Sequence, residues 1–257
     1  MFKILIRLIP LTTGLIVLSC STQPALAQNQ SHLYIGTGTG QSSTTGDVNR
    51  TFSGKALTMG LEFDRDKWVA LVDTAAAEDN RLNRVKLVGA YGNKYIKVGT
   101  GFIGGNSSIP TTPGTVARFY ATASNEDTKV SASTIPLFLR FTPIKTKNFM
   151  FNVDGFYGLY SIGSMTIPVQ TIIPNRNAYL TTQSKKSGGV YGGSISMLYR
   201  FKKDMGLRLS YTTQYGKMDA GSSRIENDPL GITTPVATPN LNFKNDLLLI
   251  SFSMMLD

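Results

Sequence analysis

Three features of this 257-residue chain predict an all-β protein, an antiparallel up-and-down transmembrane β-barrel of about ten strands, with eight as the alternative count. The chain starts like an exported protein. It carries little charge yet has no long apolar run after its N-terminus. Its strand-like segments are joined by links that alternate between short and long.

The start reads as a signal peptide. Lys3 and Arg7 supply a basic head, Ile4 to Leu18 an apolar stretch, and Ala25-Leu26-Ala27 a small-residue cleavage site before Gln28. Arg7, Pro10, Thr12 and Thr13 interrupt the apolar stretch, so it makes a poor permanent span. The expected division is therefore 1–27 signal peptide and 28–257 outer-membrane barrel domain. Val17-Leu18-Ser19-Cys20 resembles a lipoprotein lipobox, with Val17 where leucine is usual. Acylation of Cys20 would instead give a lipid-anchored surface or periplasmic binding protein. Cleavage after Ala27 removes the only cysteine, and with it any disulfide or thiol chemistry.

Charged residues make up 16% of the sequence, against roughly a quarter in ordinary soluble domains. No later segment approaches the roughly 18 apolar residues of a transmembrane helix. Export, low charge and no apolar run together point to strands that meet lipid on alternate residues.

Ten segments alternate with period two, near 32–39, 54–64, 68–74, 85–91, 94–104, 134–141, 148–160, 189–201, 205–215 and 246–256. In the second, Leu57, Met59, Leu61 and Phe63 oppose Ala56, Thr58, Gly60 and Glu62. In the seventh, Phe149, Phe151, Val153, Tyr157 and Leu159 oppose Asn152, Asp154 and Gly158. In the ninth, Leu207, Leu209, Tyr211 and Tyr215 oppose Arg208, Ser210, Thr212 and Gln214. The last is the clearest, with Leu248, Ile250, Phe252, Met254 and Leu256 against Ser251 and Ser253. The third, Trp68 to Val72, barely alternates.

The links after segments two, four, six and eight are short: Arg65-Asp66-Lys67, Gly92-Asn93, Thr142 to Lys147 and Lys202-Lys203-Asp204. Those after one, three, five, seven and nine are long and polar, near 40–53, 75–84, 105–133, 161–188 and 216–245. Membrane barrels alternate in this way, with short periplasmic turns and longer outer loops. A soluble β-sandwich has no such requirement and carries more surface charge. In lipid every backbone amide needs a partner, so the sheet must close.

The runs Ile135-Pro136-Leu137-Phe138-Leu139-Arg140-Phe141 and Tyr191-Gly192-Gly193-Ser194-Ile195-Ser196-Met197-Leu198-Tyr199-Arg200-Phe201, with the closing strand, resemble the second half of small Gram-negative outer-membrane barrels of the OmpA and OmpX types. The resemblance spans about 120 residues and implies location and architecture more than activity. It also implies delivery by the barrel-assembly machinery. That machinery reads a closing strand with an aromatic near its end, which here is displaced to Phe252.

Catalysis has little to work with. His32 is the only histidine, at the periplasmic start of the first segment, and is expected to be a solvated rim residue. No His or Cys cluster supports a metal, and no cofactor is expected. Gly36-Thr37-Gly38-Thr39-Gly40 lacks the Lys-Ser/Thr of a phosphate loop, so its glycines read as relief of crowding in a strand. Charge carries more content. Removing Lys3 and Arg7 from the net +10 leaves about +8 on the mature chain. By strand parity Lys86, Lys97, Arg140, Arg200 and Arg208 point into the lumen, with Glu62 and Asp154 as partners. They form either a salt-bridged plug or a passage favouring anions. The bulky Phe138, Met150 and Phe156 also point inward.

The outer loops hold two apolar stretches, Ile167 to Ile173 and Pro229 to Val236, read as packing into the barrel mouth or as a contact surface. The expected role is structural or adhesive display through five extracellular loops, without enzymatic activity. The alternative is a narrow, weakly anion-preferring pore. Expected partners are outer-membrane lipid, lipopolysaccharide, and surface ligands or anionic solutes. Nucleic acid is not expected, because the basic residues do not cluster.

Overall fold

The computed structural model describes residues 30–46, 50–78, 82–109, 121–123, 127–171, 177–218, 222–226, 236–237 and 241–256. Residues 1–27, read from the sequence as a signal peptide, lie outside them, Cys20 included. In chain order the strands are β1 (Gln30–Gly46), β2 (Arg50–Asp64), β3 (Trp68–Ala77), β4 (Leu82–Gly92), β5 (Ile96–Ile109), β6 (Ala121–Ala123) and β7 (Thr128–Lys145). They continue with β8 (Phe149–Thr171), β9 (Asn177–Lys186), β10 (Val190–Lys202), β11 (Met205–Met218), β12 (Ser222–Glu226), β13 (Val236–Ala237) and β14 (Leu241–Met255).

Ten of these form an antiparallel wall in the order β1-β2-β3-β4-β5-β7-β8-β10-β11-β14. β14 returns to β1 over a continuous register from His32↔Met255 to Gly46↔Leu241, so the sheet has no free edge. Gly36 and Gly38 allow that seam to form. A Cβ there would fall 2.2 and 1.9 Å from the carbonyl oxygens of Ile250 and Leu248.

One end of the barrel carries tight turns at 65–67, 93–95, 146–148 and 203–204. Their residues explain why they close. Asn93 accepts from the amides of Tyr95 and Ile96 at 2.8 Å through Oδ1, an Asx turn, and Thr146 Oγ1 accepts from the Phe149 amide at 3.0 Å. Both chain ends of the wall lie at this turn end. If it faces the periplasm, a cysteine at Asn93 in intact cells should resist a membrane-impermeant thiol reagent. Labelling of intact cells at that position would invert or break this topology.

The opposite end differs from the expected five long loops. β1 and β2 run on to Gly46 and Arg50, and β3 and β4 to Ala77 and Leu82, so the first two links are hairpins. Ladder pairing reaches into stretches whose polar composition reads as loop. The fourth long link is also largely strand. β8 continues to Thr171 and pairs with β9, from Ser161↔Lys186 to Gln170↔Asn177. β12 adds to β9, β13 to β12, and β6 to the outer end of β8. The loop end thus carries a small sheet in the order β6-β8-β9-β12-β13. Ile167 to Thr171 belong to β8, and Val236 starts β13. The rest of the two apolar stretches, 172–173 and 229–235, lies outside the described residues.

The wall sorts its residues by parity. Outward lie Ile35, Leu137, Leu139, Leu207, Ile250 and Phe252, all exposed. Trp68, Tyr91, Tyr95, Tyr199 and Phe201 ring the turn end, and Phe102, Tyr160 and Tyr191 the other border. Membrane barrels have this arrangement, an apolar band about 25 Å tall between aromatic girdles. Inward, Phe138, Met150 and Phe156 are buried. Toward the loop end Ile103, Val130, Ala132, Met165, Met218 and Phe243 form an inward apolar cluster, beside the buried polar Ser42, Gln214 and Asn245.

Candidate functional site: the charged lumen

The inward charges meet because facing strands place them in register. Arg140 on β7 lies directly opposite Asp154 on β8 and Lys97 on β5. Its guanidinium grips Asp154 in a fork, Nε to Oδ1 at 2.7 Å and Nη2 to Oδ2 at 3.0 Å. The third nitrogen, Nη1, crosses the bore to Glu62 Oε1 on β2 at 2.5 Å. Arg208 on β11 reaches the other Glu62 oxygen at 3.2 Å and lies over the Tyr34 ring. Lys86 on β4 approaches Asp154 Oδ2 at 3.2 Å with its ammonium over Phe138. The linked chain Arg208–Glu62–Arg140–Asp154–Lys86 therefore ties five strands together across the lumen.

A second cluster joins Lys97 and Lys145 to Asp64 Oδ1, at 3.1 and 3.3 Å. A third pairs Arg84 with Asp73, which also accepts from Thr58 Oγ1 at 3.2 Å. Of the residues expected inside, Lys86, Lys97, Arg140, Arg208, Glu62 and Asp154 are buried. Arg200 is half-buried near the turn end, with Nη2 3.3 Å from Met255 Sδ.

Four buried charges escaped the parity reading: Asp64, Asp73, Arg84 and Lys145. Asp64 and Lys145 sit beside turns, Arg84 fell in a stretch read as loop, and Asp73 lies in the segment that barely alternates. Extending strands four and six by their ladders would have found Arg84 and Lys145, and Asp64 continues the parity of Glu62 at the end of its segment. They change the balance. Among the described residues six buried cations face four buried carboxylates, against the five to two that parity counted.

His32 corrects the rim expectation. It is fully buried, opposite Glu62 in the ladder, with its ring 5.8 Å from that of Tyr34. β1 begins two residues earlier and β14 continues to Met255 beside it, so the wall encloses the histidine. Among the described residues no group of His, Cys, Asp or Glu could hold a metal ion.

No protein-family model and no curated sequence matches the chain. Solved structures do. The outer membrane protease OmpT from Escherichia coli superposes with a TM-score of 0.64 over 91% of this chain and 99% of its own, at 8% identity. The fold is that of the outer-membrane β-barrels. Looser matches are the attachment invasion locus protein Ail of Yersinia pestis and Neisserial surface protein A. Their TM-scores are 0.42 and 0.40, each at 9% identity, covering 88% and 87% of this barrel and 99% and 97% of their own chains. At these identities the likeness speaks for the fold alone.

Proposed function

We propose that this barrel resides in the bacterial outer membrane as a non-enzymatic scaffold. Its lumen is plugged, and its role is structural or adhesive display of the loop-end sheet. The observation that carries this reading is the ion-paired chain Arg208–Glu62–Arg140–Asp154–Lys86, which crosses the bore instead of lining it. A ten-strand barrel is little wider than the eight-strand barrels that side chains fill. Toward the loop end, apolar side chains from Ile103 to Phe243 occupy further lumen space. The non-enzymatic part is supported by the single histidine, which sits in the lumen near the turn end, away from the loop end.

The second reading, a narrow pore favouring anions, is supported by the surplus of two buried cations. Planar-bilayer recording separates the two. The plugged scaffold is expected to show no steady current. A stable conductance that turns from anion- to cation-preferring when Arg140 and Arg208 are both changed to Glu would establish the pore instead.

A further inference from the structure

The outer wall holds a groove of about 350 Å³ where β4, β5, β7 and β8 leave the apolar band at the loop end. Its size lies within the roughly 300–1,000 Å³ of small-molecule sites. Its floor is made of small outward-facing residues, Gly104 and Ser133. The lower wall is apolar, from Val85, Phe102 and Ile162, and continues the lipid-facing band. Its upper wall is neutral and polar. Asn83 donates to Asn106 Oδ1 at 2.9 Å, and the Ser131 and Ser164 hydroxyls are 2.5 Å apart. Arg84 also borders the groove, but its guanidinium turns into the lumen to Asp73.

The wall is interrupted just below. β5 and β7 pair at Gly99↔Phe138 and again from Ile103↔Thr134, with no ladder between. Pro136 has no amide to give, and the β7–β8 register shifts at the same residue. Thr100 Oγ1 takes over, donating to the Pro136 carbonyl at 2.8 Å. The β5–β7 ladder therefore breaks at Pro136 and resumes at Ile103, beneath the groove.

We propose that this groove seats one molecule of an outer-leaflet glycolipid through the region where acyl chains join the sugar. The occupant follows from continuity and from chemistry. The lower wall is already a lipid-facing surface, so hydrocarbon is its natural neighbour. The amides and hydroxyls above match the amide, ester and hydroxyl groups of an acylated sugar, as donors and as acceptors. A phosphate-directed site would present Arg or Lys side chains, and among the described lining residues none does so. The proposal rests on the outer-membrane placement above and is independent of whether the lumen conducts.

The test is native mass spectrometry of the full barrel released from nanodiscs. One set contains an acylated glucosamine disaccharide lipid, one its dephosphorylated form, and one phosphatidylethanolamine alone. The barrel is expected to retain one glycolipid, equally well with and without phosphates, and far less phosphatidylethanolamine. Ser133→Phe, which fills the groove from the lipid side, should lower retention about tenfold. Asn106→Ala, which removes an exposed polar group and its bond to Asn83, should lower it severalfold and carries the test if Ser133→Phe does not fold. Equal retention of phosphatidylethanolamine, loss on dephosphorylation, a dimer mass in place of a lipid adduct, or full retention in the folded variants would each overturn the proposal. Failure of the barrel to enter nanodiscs at all would overturn the outer-membrane placement instead.

Discussion

Arg140→Ala should destabilise the barrel by about 3–5 kcal/mol in urea unfolding from lipid vesicles, because it strips two buried carboxylates of their shared partner. Arg140 is wholly buried, and three of its nitrogens are committed, two to Asp154 and one to Glu62. Lys86 and Arg208 remain to offset part of the loss, since each still touches one of those carboxylates. Arg140→Lys should recover little, because an ammonium cannot span the fork and the bore together. The half-buried Arg200 provides the comparison. Its change to Ala should cost under about 1 kcal/mol. Equal costs at the two positions would mean that the crossed chain of ion pairs does not hold the wall together.

The second large effect lies on the outside. Ile250→Arg and Leu209→Arg should impair insertion by about 2–4 kcal/mol, the penalty for a cation near the bilayer midplane. The two residues are ladder partners, and both are exposed, at 59% and 38%. Ser251→Ala, one residue away and buried in the lumen, should cost far less. Similar losses on both faces, measured by the fraction of folded protein in vesicles, would contradict a lipid-facing stripe.

How much of this could be read from the sequence depends on the strand. Where one face meets lipid and the other a polar lumen, alternation is strong. Segments two, seven, nine and ten therefore correspond to β2, β8, β11 and β14 with the expected sides. The four short turns were legible because Asn, Asp and Lys break the apolar pattern where the chain must reverse. Beyond the lipid band the signal fades. Both faces of β1 and β2 become polar near Gly46 and Arg50, so ladder and loop have the same composition there. β3 obscured its own parity because Val69 and Leu71 are apolar on the buried side and Ala70 and Val72 on the other, which hid Asp73. His32 was misplaced for a related reason. Its burial depends on the end of β14, more than two hundred residues away, and no local pattern reports it.

The seam between β1 and β14 joins the first strand of the wall to the last. Until β14 is in place, β1 is an open row of amides and carbonyls, a template for wrong pairing. Closing so distant a pair is slow, since the loop entropy is spent before any contact repays it. If the barrel resides in the outer membrane as proposed, its chain crosses an aqueous compartment with this edge uncovered. On that placement, the timing of the final strand decides between insertion and aggregation.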